Sequence, residues 1–174
     1  LPSLASRVKH RLGIENPNCV AYDLIFGCPG WIQGVIHADS FIKNGLAKKC
    51  LVIGTETLSR VVDVHDRDSM IYSDGAGATI IEGVEENRQR GILAFSSQSF
   101  TKDEAFYLYL GKSNIGNADP KVRYIKMHGR KIYEFALKNV PVLVKQTMEK
   151  AGLNIGDIKK IFIHQANEKM DQEI

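Results

Sequence analysis

The segment Phe26-Gly27-Cys28-Pro29-Gly30 constrains this chain more than any other. Before it, Cys19 to Phe26 is a β-branched and aromatic run that predicts a strand. After it, Trp31, Val35, Ile36 and Ile42 recur at helical spacings over residues 30 to 44. A strand that turns sharply into a helix needs glycine at the turn, and proline is tolerated in the first helical turn. A cysteine held there faces the free amides and positive dipole of the helix start, which suit an attacking thiolate and a developing oxyanion. Cysteine between apolar elements is also, in general, a small buried side chain. Position alone leaves both readings open.

The remaining pattern alternates in the same way. Leu4, Val8 and Leu12, with Gly13 as a stop, predict an amphipathic helix over residues 3 to 12. Asn16-Pro17-Asn18 is turn chemistry, Gly45 ends the second helix, and Gly30 and Gly34, one turn apart, allow another segment to approach closely. Lys49 to Gly54 reads as a buried strand, residues 59 to 69 as a charged loop, and Ala76 to Val84 as a strand after an Asp74-Gly75 turn. The acidic turn Glu85-Glu86-Asn87 is the best internal boundary and divides the chain into residues 1–86 and 87–174. Ile92 to Ser97 then predicts a strand and residues 101 to 124 a mixed connection. Ile132, Phe135, Leu143, Val144 and Met148 form one stripe of a long helix over 130 to 151, with Pro141 expected to kink it and Gly152 to cap it. Ile158 to His164 predicts a last buried strand with His164 at its carboxyl end, the edge where open α/β sheets gather their functional groups. The fold class expected is α/β.

Composition narrows the class rather than the function. At 44% hydrophobic and 25% charged residues, the 174-residue chain is expected to be globular and to bury a real core. Its apolar runs are too short to cross a bilayer, and no signal peptide opens it, so no membrane association and a cytoplasmic location are expected. Cys19, Cys28 and Cys50 cannot all pair and show no CxxC spacing, so reduced thiols are expected. A net charge of +3 is too mild to indicate nucleic acid. Asp63, His65 and Asp66 can be drawn as metal ligands, but polar residues in a charged loop are expected to be solvated, and no metal is expected. The chain starts at Leu1 without methionine and stops at Ile174 as a helix begins, so it is expected to be a piece of a longer protein.

Four segments, taken in order, carry a resemblance. Ala21-Tyr-Asp-Leu-Ile-Phe-Gly-Cys28-Pro-Gly-Trp-Ile-Gln-Gly34 resembles the active-site cysteine segment of the ketoacyl-acyl-carrier-protein synthase III family. Leu51-Val-Ile-Gly-Thr-Glu56 with Asp66-Arg67, then Ser73-Asp-Gly-Ala-Gly-Ala78, are similar to that family's strand, loop and glycine-rich signature. Ile163-His-Gln-Ala-Asn167 resembles its histidine motif. Any one of these is weak, but their order and separations are family-like.

The resemblance implies a thiolase-like layered α-β-α fold, incomplete in this chain. Residues 1–86 would be the latter part of the N-terminal half and 87–174 the first part of the C-terminal half. It implies Cys28 as the nucleophile that carries an acyl group, and His164 as one of two groups that stabilise the enolate formed by decarboxylation. The second group, an asparagine, is expected beyond Ile174, so the 174 residues alone are expected to be inactive. Arg67 would hold the adenine end of coenzyme A, while Gly129, Tyr133 and Asn167 would line the pantetheine side. Gln165, Ala166, Asn167, Glu168 and Lys169 would form the carrier-docking stretch. No bound cofactor is implied; a coenzyme A thioester is a substrate. The implied partners are acyl-coenzyme A, malonyl-acyl-carrier-protein and a second subunit of a homodimer, meeting along the strand that leads to Cys28.

Three residues depart from the family pattern. Glu134 stands where a lysine commonly contacts the carrier, and Lys138, one turn later, is a possible substitute. Pro29 and Trp31 replace the usual small and phenylalanine residues and leave the acyl preference open. The competing readings are a related condensing enzyme of specialised metabolism, a cysteine acyl hydrolase using water as acceptor, and a non-catalytic segment.

Overall fold

A computed structural model describes residues 3–87 and 90–174. Among the described residues four α-helices and four strands form, and the chain divides into two compact units. The first comprises Leu1–Gly54 with Ala78–Gly83, the second Thr55–Gly77 with Val84–Ile174.

In the first unit, α1 (Leu4–Arg11) is the expected amphipathic helix. Ser3 caps it, its hydroxyl accepting from the Ser6 amide, and the Asp23 carboxylate accepts from the amides of Leu4 and Ala5 at 2.7 and 2.8 Å. Helix α2 (Gly30–Lys43) carries the buried residues Ile36, Ala38 and Asp39. Asp39 is held by Lys43 one turn on, at 2.8 Å. Strand β1 (Lys49–Thr57) pairs with β2 (Asp74–Glu82) in a two-stranded sheet. Asp74 and Gly75, expected as a turn, are the first residues of β2. Glycines let α2 lie against β1: a Cβ on Gly34 would fall 2.8 Å from Val52 Cγ1, and one on Gly54 3.2 Å from Trp31 Cβ.

In the second unit, the charged loop contains two 3₁₀ turns, Leu58–Arg60 and Arg67–Ile71. The stretch expected to be a mixed connection, residues 101 to 124, contains strand β3 (Leu108–Gly111) and runs into β4 (Tyr124–Met127), the two antiparallel with Tyr109 opposite Lys126. Helix α3 (Gly129–Ala151) continues through Pro141 and ends at Gly152, whose φ of +68° is the left-handed C-cap expected of it. Its predicted stripe is half-buried throughout, with Phe135 packed edge-on to Phe100 at 5.2 Å. The short α4 (Glu168–Glu173) packs against α3.

Three predicted strands do not form. Residues 19–26, 92–97 and 158–164 are irregular and lack a ladder partner among the described residues, and β-propensity alone cannot supply one. Their apolar side chains stay exposed: Ile25 is 97% and Phe162 85% accessible. The expected core is also corrected. Ile36 and Ala38 are the only buried apolar residues among those described, and the chain exposes 14021 Å². A compact monomer of 19.4 kDa would expose roughly 8,500 Å². Length permits a core, but these elements do not close around one.

Candidate active site

Cys28 is an exposed free thiol in the turn that leads into α2. The turn is closed by the Gly30 amide donating to the Gly27 carbonyl at 2.8 Å, and α2 begins as the Gln33 amide donates to the Pro29 carbonyl at 3.0 Å. Pro29, the N-cap of α2, makes no side-chain hydrogen bond to the first-turn amides. Neither glycine of the turn is forced by crowding: a Cβ on Gly30 would make an ordinary 3.5 Å contact with Phe26 Cβ, and one on Gly27 would meet nothing within 4 Å. The expected sharp turn into a helix forms at Cys28, although the residues before it pair with no strand among those described.

The other residues singled out by sequence lie in the second unit. His164 is exposed in the extended stretch after α3. Asn167 is the N-cap of α4, its side-chain oxygen accepting from the Met170 amide at 3.2 Å. Gln165, Ala166, Glu168 and Lys169 flank it on the exposed surface. Gly129 opens α3, and a Cβ there would make an ordinary 3.8 Å contact with Met127 Cε, so its smallness is not enforced by this chain's own packing. Tyr133, one turn into α3, is brought beside α4. The Glu173 carboxylate and partial burial push its pKa up, although its hydroxyl makes no hydrogen bond of good geometry. Glu134 is engaged by Arg130, whose Nε donates to it at 2.8 Å.

The loop before β2 contains the strongest electrostatic feature, and sequence reading missed it. Asp63 is not solvated: it is 2% exposed. Lys126 Nζ on β4 donates to Asp63 at 2.8 Å, Asp66 at 2.7 Å and the Asn114 side-chain oxygen at 2.8 Å. Asp63 also accepts from the Ser113 hydroxyl and the Asn114 and His65 amides. Asp63 and Asp66 are therefore ion-pair partners of a lysine sixty residues away, which no local pattern could announce. The expectation of a solvated loop fails because Lys126 neutralises it. Among the described residues no three His, Cys, Asp or Glu are grouped to hold a metal ion.

Arg67 directly follows Asp66 and opens the second 3₁₀ turn, with its side chain 93% exposed and 3.7 Å from Asp68. At the far end of the loop, the Ser59 amide and hydroxyl donate to the Asp74 carboxylate at 2.8 and 2.5 Å, which lowers the Asp74 pKa. Asp74 opens the glycine-rich signature, so it ties that segment to the loop bearing Arg67.

Comparison with known proteins agrees with the motifs. Residues 22–100 match the family of 3-oxoacyl-[acyl-carrier-protein] synthase III. The chain is 40% identical to the β-ketoacyl-[acyl-carrier-protein] synthase III of Clostridium acetobutylicum, covering 95% of this chain and 51% of that one. The same enzyme of Acholeplasma laidlawii is 36% identical over 99% of this chain and 52% of its own. The crystal structure of the Thermus thermophilus β-ketoacyl-[acyl-carrier-protein] synthase III superposes with a TM-score of 0.86 at 31% identity, covering 99% of this chain and 53% of that one. The chain spans about half the length of the curated relatives it matches. Its architecture is an incomplete thiolase-like α/β fold.

Proposed function

We propose that this chain, a relative of the β-ketoacyl-[acyl-carrier-protein] synthases III along its whole length, carries the acyl-accepting cysteine of a decarboxylative condensing enzyme that initiates fatty-acid synthesis. The observation that carries the reading is Cys28: an exposed free thiol in a glycine-bounded turn at an uncapped helix start, inside the residues matched to the family.

The Cys28 thiolate attacks the carbonyl carbon of an acyl-coenzyme A, and the thioester bond to coenzyme A breaks as its thiol leaves with a proton. Malonyl-acyl-carrier-protein then loses carbon dioxide. The enolate carbon attacks the acyl-cysteine, and the bond to Cys28 breaks to free the sulfur. Helix-start amides support the oxyanion, and His164 supports the enolate together with an asparagine outside these residues. Arg67 is the contact for the nucleotide end of coenzyme A; its exposed guanidinium suits a phosphate-bearing, stackable ligand. Gly129, Tyr133 and Asn167 line the pantetheine side, and residues 165–169 meet the acidic carrier protein.

Residues 1–86 and 87–174 are, on this reading, parts of the two thiolase-like halves. The exposed run 19–26, which pairs with no strand among the described residues, is where a second copy pairs to form a homodimer. The enzyme is assigned to the cytoplasm; no helix among the described residues is long and apolar enough to cross a membrane.

Intact-mass spectrometry tests the reading. Incubation with acetyl-coenzyme A should acylate the intact enzyme at Cys28, and malonyl-acyl-carrier-protein should discharge the adduct as a condensed product. Discharge as free acid at the turnover rate would identify a hydrolase instead, and no adduct at Cys28 would overturn the proposal.

A further inference from the structure

We propose that Lys126 is a positioning residue for Arg67, fixing the backbone on which that arginine meets the nucleotide end of coenzyme A. The proposal rests on the reading of Arg67 given above. The chain of contacts is short. Lys126 Nζ donates to one Asp66 carboxylate oxygen, while the other Asp66 oxygen accepts from the Asp68 amide and so caps the 3₁₀ turn that Arg67 opens. Arg67 stands between the two residues joined by that cap.

Everything around Lys126 is arranged to keep it there. Its aliphatic stem crosses Gly111 on the neighbouring strand, where a Cβ would lie 2.9 Å from Lys126 Cγ. The loop is pinned to the same strand by the Ile125 amide donating to the Val61 carbonyl at 2.8 Å. Asp63, Asp66 and the Asn114 oxygen take the three donors of the ammonium. A loop that must present one cation to a flexible polyanion is thereby held at its base, while the guanidinium itself stays 93% exposed with only a loose 3.7 Å approach to Asp68. Holding a contact in its bound geometry in advance lowers the cost of binding.

The test compares two acyl donors, acetyl-coenzyme A and S-acetyl-pantetheine, which share the thioester but differ in the nucleotide end. In the intact enzyme, Lys126→Met should raise KM for acetyl-coenzyme A about tenfold and leave KM for acetyl-pantetheine within about twofold. Lys126→Arg should restore most of the loss. If Lys126→Met fails to fold, Asp66→Asn, which keeps the shape but removes the charge, should show the same split. Parallel changes with both donors, or none with either, would overturn the positioning role. Arg67→Ala measured alongside separates the two ideas. If it fails to distinguish the donors, the coenzyme A reading of Arg67 falls; if it does and Lys126→Met does not, only the positioning role falls.

Discussion

Gly34 of α2 lies so close to Val52 of β1 that a Cβ on the glycine would come within 2.8 Å of Val52 Cγ1. This contact seats the helix into which the Cys28 turn leads. Gly34→Ala should therefore destabilise the protein by about 1–3 kcal/mol in urea denaturation, since a rigid branched side chain must shift to admit the methyl group. The alkylation rate of Cys28 should change with it, whereas Gly27→Ala, with nothing within 4 Å of the added Cβ, should leave stability nearly untouched.

Asn167 has two roles that one substitution can separate. Its side-chain oxygen caps α4, and its amide group is free to meet pantetheine on the proposed reading. Asn167→Ala should cost about 1 kcal/mol through the lost cap. Asn167→Asp should keep the cap and the stability but raise KM for the pantetheine-bearing substrates. Equal KM values for wild type and Asn167→Asp would remove Asn167 from the binding surface.

The buried ion pair predicts a stability window in pH. Burial opposes charge on Asp63, but Lys126, the amides of Asn114 and His65, and Ser113 outweigh it and hold its carboxyl well below the usual range. Burial likewise opposes charge on Lys126, and Asp63 and Asp66 overcome it and raise its pKa. A lowered acid stabilises fully above its unfolded value near 3.9 and loses that contribution as pH falls through its native value; a raised base stabilises fully below about 10.4 and loses it as pH rises further. Denaturation midpoints should thus be level between these limits with respect to this pair and decline outside them. Asp63→Asn should flatten the acid limb, and an unchanged limb would contradict the assignment.

How much of this was readable in advance follows from range. Helix α3 and its Gly152 stop were legible because stripe and cap lie within one continuous segment, and β1 and β2 because each carries a short apolar run of its own, although both strands extend past the glycines read as their limits. The four-residue strands β3 and β4 were not, since Leu108–Gly111 and Tyr124–Met127 are too short to show a period. Residues 158–164 have the composition of a strand but no partner here, and pairing is a property of two segments. At the site, Cys28 announced itself through its turn, Arg67 and Tyr133 only through resemblance. Lys126 stayed hidden because its partners lie 60 and 63 residues away.

Carrier recognition makes a separate prediction. Arg130 engages Glu134, so the acidic residue at the expected carrier contact is partly neutralised from within its own helix. Lys138, one turn further, is exposed. Lys138→Glu should raise KM for malonyl-acyl-carrier-protein severalfold, with a steeper effect at low salt and no change for the acyl-coenzyme A. An unchanged carrier KM would eliminate Lys138 as a substitute contact.

The 174 residues expressed alone should show neither acetyl transfer nor condensation above background, because groups that act as a unit lose nearly everything when one is missing. Radiolabelled acetyl transfer compared between this segment and the intact enzyme checks this, and full activity in the segment would refute it.

The clasp between Asp23 and the first turn of α1 has a consequence for the run that ends at Cys28. An extended segment without a ladder has no alignment of its own, because neighbouring side chains point to opposite sides and a slip by one residue exchanges them all. Such a slip would also carry the sulfur about 3.3 Å along the chain, roughly the distance between a nucleophile poised to react and one that is merely nearby. With both oxygens of Asp23 fastened to α1, five positions before the thiol, the run is indexed like a ruler pinned at one mark. Cutting that pin with Asp23→Ala would leave the reactive turn chemically unchanged and still let it arrive at the wrong address.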